Sequence, residues 1–212
     1  MTRERLPGGL YAITDSQLIP AAKLTDQVAA AIRGGAAMIQ YRDKTSDREQ
    51  RRQQAAALAL LCHDHAIPLI INDDIELAAA VGASGVHLGK SDDTVRSARK
   101  VLGADAIIGV SCYNEFERAV EATTEGADYV AFGRFFASQS KPDAVTAGPE
   151  LLPRARQSLG IPVVAIGGIT PDNGQPLIIA GAHLLAAIHG VFGQADVQAS
   201  ARRYAELFSA PT

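Results

Sequence analysis

The sequence predicts an α/β fold in a single domain over residues 1–212, a (β/α)8 barrel of the TIM type. Eight short apolar segments alternate with eight longer segments of helical periodicity. The 212 residues suffice for one such barrel, and no linker or low-complexity tract divides them. A doubly wound open sheet is the alternative. No GxGxxG follows the first strand, which weakens a dinucleotide-binding interpretation.

The predicted elements follow one another in a regular order. The strands, rich in Val, Ile and Leu, are 10–14, 38–42, 68–72, 85–88, 107–111, 129–133, 162–167 and 183–188. The helices, which carry Ala-rich apolar faces, are 25–33, 47–64, 75–81, 93–102, 115–125, 149–158, 171–180 and 194–207. Glycine stands between helix and strand in GGAAMI (34–39), GASGVHL (82–88), GADYVAF (126–132) and GAHLLAA (181–187). This repetition indicates a repeated βα unit, because glycine suits the residue that ends a helix.

Composition and charge narrow the class of function. Hydrophobic residues make up 47% and charged residues 20%, which excludes a disordered chain. The formal net charge of -3 argues against broad binding to nucleic acid or to an acidic membrane, so any anion site must be local. Cys62 and Cys112 form no CxxC pattern and are expected to be free thiols. We see no signal peptide or bilayer-spanning run and expect a soluble, cytoplasmic protein.

The stretch MIQYRDK (38–44) is a predicted strand that ends in three charged residues. Gln40, Arg42 and Lys44 share one face if the strand continues, because side chains alternate along a strand. Functional residues of a TIM barrel lie where strands end and βα loops begin. Arginine suits bidentate phosphate contacts and lysine adds a compact charge, so this strand end predicts an anion site. A strand that simply emerges into solvent is the alternative.

The next two strand ends carry paired acids. The third strand ends at Asn72 before Asp73 and Asp74, and the fourth is followed by SDD (91–93). One carboxylate of each pair can cap the following helix, which leaves one spare. Mg²⁺ takes one or two carboxylates together with phosphate oxygens and water, so the two spare acids suit a magnesium site. Plain helix capping is the alternative.

The remaining strand ends add hydroxyls, a lysine and glycines. Ser111 ends the fifth strand, and the long 133–150 connection carries SQSK (138–141), which suits phosphate oxygens. An ordinary buried serine and a plain surface loop are the alternatives. Gly167 and Gly168 allow close approach of a ligand after the seventh strand, and backbone N–H groups after the eighth can bind an anion. We therefore expect two anion sites, one at strands two to four and one at strands six to eight.

The ordered motifs resemble those of the thiamine-phosphate synthase family over nearly the whole chain. They are QYRDK (40–44), NDD (72–74), GVHLGKSD (85–92), GVS (109–111), SQSKPDA (138–144), AIGGI (165–169) and IHGVF (188–192). Each motif alone is weakly specific, but seven in order at strand ends are strongly specific. The resemblance implies a transferase that condenses a hydroxymethylpyrimidine pyrophosphate with hydroxyethylthiazole phosphate, giving thiamine phosphate and pyrophosphate in a Mg²⁺-assisted dissociative substitution.

The resemblance also implies roles for individual residues. The pyrimidine pyrophosphate would meet Gln40, Tyr41, Arg42, Asp43, Lys44, Asn72, Ser111 and Lys141, among which Arg42, Lys44 and Lys141 would be catalytic. The thiazole phosphate would meet Ser138, Gln139, Ser140, Gly168, Ile188 and His189, and Asp73 and Asp92 would hold Mg²⁺. Such a reaction needs no protein nucleophile, in keeping with the lack of an obvious Ser–His–Asp or Cys–His arrangement.

Three positions depart from the family pattern. Ser140 replaces a usual threonine, Arg134 a common proline and His189 a common small serine, which leaves the role of the His189 side chain open. His87, within a strand, is interpreted as structural.

Two other functions are considered for the same barrel. A thiazole tautomerase, which is an isomerase, would leave QYRDK, Asp73, Asp92 and Lys141 without a task. A non-catalytic phosphate-binding barrel that regulates a partner would bind ligand without turnover. The expected partners are small phosphorylated molecules. The oligomeric state is left open, with a homodimer as one alternative.

Overall fold

A computed structural model describes residues 6–44, 47–90, 93–137 and 145–209, and in them eight parallel strands close into a barrel in the order β1 to β8. The strands are β1 Gly9–Ile13, β2 Ala36–Tyr41, β3 Leu69–Asn72, β4 Gly85–Leu88, β5 Ile107–Tyr113, β6 Tyr129–Phe132, β7 Val163–Ile166 and β8 Leu184–Ala187. β8 pairs with β1, which closes the sheet. The predicted (β/α)8 barrel is confirmed.

The helices follow the strands as predicted, with differences at their ends. They are α1 Leu24–Arg33, α2 Arg48–Asp64, α3 Ile75–Val81, α4 Val95–Leu102, α5 Phe116–Thr124, α6 Leu151–Ser158, α7 Gln175–Ala180, α8 His189–Phe192 and α9 Val197–Leu207. A 3₁₀ turn, Ala21–Lys23, precedes α1. The expectation that an acid in 91–93 caps the next helix is wrong, because the Thr94 side chain accepts the Ser97 N–H and α4 begins at Val95. The short helix α8 was not predicted.

Side chains of the barrel strands separate into two apolar layers. Leu10 and Ala12 face the helices, whereas Tyr11 and Ile13 face the barrel interior together with Met38. All five of these residues are buried, and each large side chain that leaves water in this way contributes about 1.5–3 kcal/mol to folding. The interior layer fills the lower part of the barrel, so the space for a ligand lies above it, at the carboxyl ends of the strands.

The predicted glycines between helix and strand have the backbone conformation expected of them. Gly82 ends α3 with φ +65°, and Gly181 ends α7 with φ +119°. Only glycine adopts this left-handed region without a steric cost from Cβ. The chain can therefore turn back toward the sheet at once after each of these helices.

Neither cysteine of the chain is placed for chemistry. Cys62 and Cys112 are free, buried thiols that pack in the layer between sheet and helices. Burial raises the pKa of each thiol to about 12. Among the described helices, none combines the length and the apolar character that a membrane span requires.

We expect both thiols to resist modification while the barrel is folded. At pH 8, a thiol with a pKa near 12 is ionised in roughly one molecule in ten thousand, and only the thiolate reacts. A disulfide reagent such as DTNB should therefore label neither cysteine of the native protein, and both after denaturation. Rapid labelling of the native chain would contradict the packing described for these two residues.

Candidate active site

A cavity of about 320 Å³ opens at the mouth of the barrel, above the interior apolar layer. Its floor carries polar side chains from four strands, which are Tyr11, Gln40, His87 and Ser111. Its wall on the β6–β8 side is mostly apolar or glycine, and includes Ala131, Val164, Ile166, Gly167, Gly168, Ala186 and Ile188. Arg134, Thr170, His189 and Gln194 add polar groups on this side. A concave, largely apolar pocket with a few convergent polar groups suits flat organic rings.

The polar floor is one continuous chain of hydrogen bonds. Gln40 Nε2 donates to the Tyr11 hydroxyl at 2.6 Å, and that hydroxyl lies 2.8 Å from the hydroxyl of Tyr129. The Tyr129 oxygen lies 2.9 Å from His87 Nδ1, and His87 Nε2 lies 2.8 Å from Ser111 Oγ. Each of these polar groups thus has a partner, which a buried position requires. Burial also raises the pKa of Tyr11 and of Tyr129 well above its usual range, so both phenols stay protonated.

Arg42 is held at the mouth by an acid on the neighbouring strand end. Its Nη1 donates to Asp15 Oδ2 at 2.8 Å, and the two side chains are only 17% and 11% exposed. The backbone N–H of Arg42 donates to Thr14 Oγ1 at 2.9 Å. These contacts fix the guanidinium beside the cavity, which it lines.

A second, charged cleft of about 520 Å³ adjoins the cavity. It is lined by acids and bases from the ends of β2 and β3 and from the nearby helices, which include Asp43, Lys44, Arg51, Asp73, Asp74, Glu76 and Asp93. Asn72 lines both this cleft and the cavity. A ligand with an apolar ring and a charged tail could therefore pass from one to the other beside Asn72.

One acid of the pair after β3 caps the following helix, as the sequence predicts. Asp74 caps α3 by accepting the Leu77 N–H at 2.9 Å, and it also accepts from Arg51 Nη2 at 2.8 Å. Asp73 pairs with Lys44, with 2.5 Å between Oδ2 and Nζ. Its φ of +64° is rare for a residue other than glycine, and such conformations occur often at functional sites.

The wall after β7 and β8 is built by close backbone packing. Gly168 has φ +63°, and a Cβ at this position would collide with the Ala137 carbonyl oxygen. Ile188 precedes α8, and the imidazole of His189 packs against Gly193 at the rim. Gly168, Ile188 and His189 all line the cavity, so the structure brings together the described part of the second predicted anion site.

Tyr41 is a predicted site residue that the structure directs away from the cavity. It is buried between sheet and helices, and its hydroxyl donates to Gln54 Oε1 at 2.7 Å. Burial, followed by the charge of Asp43, raises the pKa of Tyr41 above its usual range. The alternation of side chains explains this placement, because Gln40 and Arg42 on either side both face the cavity.

Apart from Tyr41, the predicted residues fall into three groups. The first group lines the cavity and comprises Gln40, Arg42, Asn72, Ser111, Gly168, Ile188 and His189. The second group lines the charged cleft and comprises Asp43, Lys44 and Asp73. Lys44 therefore does not continue the face of Gln40 and Arg42 into the cavity, since β2 ends at Tyr41. The third group lies outside the described residues and comprises Asp92, Ser138, Gln139, Ser140 and Lys141.

Sequence reasoning missed four residues of the floor and mouth. Asp15 follows a strand, and the rule applied to the other strand ends would have found it. Tyr11 and Tyr129 lie within apolar strand segments, which are typical of the core. No sequence pattern indicates that two positions 118 residues apart are in contact. His87 was interpreted as structural, yet it lines the cavity and contacts Ser111.

Comparison with known proteins identifies the family of the chain. A family model described as thiamine monophosphate synthase matches residues 10–191, which is most of the chain. The chain belongs to the thiamine monophosphate synthase family. It is 52% identical over 200 residues to a thiamine-phosphate synthase of Nitrosococcus oceani, with 94% of this chain and 92% of that protein covered.

Two further relatives support membership of the thiamine monophosphate synthase family. A thiamine-phosphate synthase of Marinobacter nauticus is 49% identical over 209 residues, covering 98% of this chain and 94% of the relative. The solved structure of a thiamine phosphate pyrophosphorylase from Pyrococcus furiosus superposes with a TM-score of 0.87 at 34% identity, covering 98% and 97% of the two chains. The predicted function, thiamine-phosphate synthase, and its class, a transferase acting on small phosphorylated substrates, are confirmed. The tautomerase alternative receives no support.

Gly168 and Gly82 form a matched pair for testing the wall of the cavity. Both have left-handed backbones, but a Cβ at Gly82 meets nothing within 4 Å. Alanine at either position should cost about 1–2 kcal/mol of stability from backbone strain. Only Gly168→Ala should also displace the 136–137 backbone and raise the KM for the thiazole phosphate. Steady-state kinetics of both variants would show this, and equal KM values would remove this wall from the site.

Proposed function

We propose that the two adjoining pockets divide the substrates of thiamine-phosphate synthesis between them. The cavity would hold the pyrimidine and thiazole rings, and the charged cleft would hold the pyrophosphate of the pyrimidine substrate. The observation that carries this proposal is the position of Asn72, which lines both spaces and so joins an apolar site to a charged one. The thiazole phosphate would lie against Gly168, Ile188 and His189 on the opposite wall.

The cationic side chains would stabilise the leaving pyrophosphate. Negative charge grows on this group as its bond to the pyrimidine methylene carbon breaks. Arg42 is held in place by Asp15, so its remaining donors need no reorganisation when that charge develops. Lys44 lines the charged cleft and is 57% exposed, so it could shift from Asp73 toward a bound phosphate. Lys141 would add a third positive charge.

The residues of the charged cleft fit a magnesium ion. Asp73 is partly exposed there, and Asp43 and Asp93 offer further hard oxygen atoms. No cluster of three potential His, Cys, Asp or Glu ligands occurs in the part of the chain that the structure describes. Magnesium bound with phosphates commonly takes only one or two carboxylates, so Asp73 with Asp92 would suffice. When bound, the ion would neutralise charge on the departing pyrophosphate.

The rest of the reaction would depend on positioning. Departure of pyrophosphate leaves a pyrimidine methyl cation that its own amino group stabilises, and the thiazole nitrogen then attacks this carbon. The apolar wall would keep water from the cation, which water would otherwise trap as an alcohol. Binding both rings in one cavity makes the second step effectively unimolecular, because the thiazole nitrogen is already next to the cation. A cytoplasmic location stays a prediction from the sequence, and a homodimer stays one alternative for the oligomeric state.

Removal of the Asp73 charge should strongly reduce metal-dependent turnover. Asp73→Asn keeps the size of the side chain and tolerates the left-handed backbone. We expect kcat to fall by roughly 10²–10³, as for loss of one preorganised electrostatic group, with binding of thiazole phosphate unchanged. Asp172→Asn, at an exposed ion pair with Arg203, is the matched control. Pyrophosphate release measured with Mg²⁺ and with EDTA gives the comparison, and retained metal-dependent turnover would remove Asp73 from the metal site.

Loss of the Arg42 guanidinium should affect one substrate much more than the other. Arg42→Ala deletes the cation that Asp15 holds at the cavity mouth, and it leaves Gly168, Ile188 and His189 unchanged. We expect kcat/KM for the pyrimidine pyrophosphate to fall by about 10²-fold or more. The KM for thiazole phosphate should stay within about twofold, because that site keeps its contacts. A similar loss for both substrates would contradict the division between the pockets.

A further inference from the structure

The hydrogen bonds in the floor of the cavity all run in one direction, which the donor and acceptor atoms of its residues determine. Gln40 Nε2 can only donate, so the Tyr11 oxygen accepts from it and directs its single hydrogen to Tyr129. The Tyr129 hydroxyl, having accepted from Tyr11, gives its own hydrogen to His87 Nδ1. His87 therefore carries its hydrogen on Nε2 and donates to Ser111 Oγ. Every step has the same direction, from Gln40 to Ser111.

This order decides what Ser111 can offer to a ligand. Its oxygen already accepts from His87, so its own hydrogen is directed to another acceptor, and Ser111 lines the cavity. The reverse order would make the serine donate to His87. The same pair of atoms, 2.8 Å apart, would then resemble a nucleophile and its general base.

We propose that Tyr129 is a positioning residue that holds His87 in the Nε2–H tautomer and thereby makes the Ser111 hydroxyl a hydrogen-bond donor to the pyrimidine substrate. This inference rests on the proposed function for the identity of the substrate, whose ring nitrogens are acceptors. Ser111 thus binds and orients the ring and does not act as a nucleophile. Tyr129 acts only through His87 and Ser111.

The packing around Tyr129 shows that its hydroxyl is placed with little freedom. The residue is fully buried, its ring stacks on His87 with centroids 5.5 Å apart, and it meets Tyr11 edge-on at 6.0 Å. Gly109 on β5 leaves the space that this ring occupies, because a Cβ there would overlap the phenol. Tyr129 itself does not line the cavity, whereas Tyr11, His87 and Ser111 do.

Kinetics of a double-mutant cycle test the proposal. Tyr129→Phe keeps the ring packing and removes only the hydroxyl, so His87 Nδ1 loses its donor and the serine can turn toward Nε2. We expect kcat/KM for the pyrimidine pyrophosphate to fall about tenfold, the size of one hydrogen bond, with KM for thiazole phosphate unchanged. Ser111→Ala should cause a loss of about the same size. In the Ser111→Ala background, Tyr129→Phe should then add less than about twofold, because both changes remove the same interaction.

Ser84→Ala is the control for a general loss of stability. Its hydroxyl accepts the Leu69 N–H at 3.1 Å at the start of β3, at the opposite end of the barrel from the cavity. This variant should lose stability without losing activity. If Tyr129→Phe acted only by loosening the fold, its effect would multiply with that of Ser111→Ala, and the proposal would be wrong.

The tautomer of His87 can be measured without any substrate. The chain has five histidines, so ¹⁵N-histidine NMR gives few signals, and His87→Gln identifies the relevant one. We expect the Nε2–H tautomer in the wild type and a shift toward Nδ1–H in Tyr129→Phe. An Nδ1–H tautomer in the wild type would overturn the proposal even if Tyr129→Phe failed to fold. Absence of thiamine phosphate formation with an intact Nε2–H signal would instead count against the proposed function.

Discussion

The hydrogen-bonded chain from Gln40 to Ser111 crosses the interior of a closed barrel, where water is scarce and an unpaired polar group is costly. Its members come from strands that are not all neighbours in the sheet, so the chain can form only when the barrel has closed. The hydrogen-bonded chain also needs a glycine at position 109, because a Cβ there would overlap the buried ring of Tyr129. Folding therefore fixes which polar atoms face the cavity, before any ligand arrives.

Two ion pairs lie on one side of this polar floor, and Arg134, which follows β6, is a further charged residue that lines the cavity. Arg42 and its partner Asp15 stand at the mouth, and the Lys44–Asp73 pair lies in the adjoining cleft. The opposite wall, from Val164 to Ile188, is almost wholly apolar or backbone. A reaction that releases pyrophosphate from a cation needs this separation, because the anion must be stabilised while water is kept from the carbon centre.

Sequence reasoning succeeded where a position obeys a local rule. Strand ends were predictable because Val- and Ile-rich runs stop at polar residues, and the division of tasks between Asp73 and Asp74 followed from helix capping. The start of α4 was missed because Thr94 competes with Asp93 as a cap, and α8 is too short to show periodicity.

The polar floor could not be predicted, since Tyr11, His87 and Tyr129 meet only in three dimensions. Placement of Tyr41 in the site came from family resemblance and conflicted with strand alternation, which the structure follows.

The pyrimidine substrate would span the two pockets that meet at Asn72. A crystal structure of the enzyme with thiamine phosphate, pyrophosphate and Mg²⁺ tests it most directly. We expect the pyrimidine ring over Gln40 and Ser111, and pyrophosphate in the charged cleft within reach of Arg42, Lys44 and Asp73. Pyrophosphate bound instead against Gly168 and Ile188, with the charged cleft filled only by solvent, would contradict it.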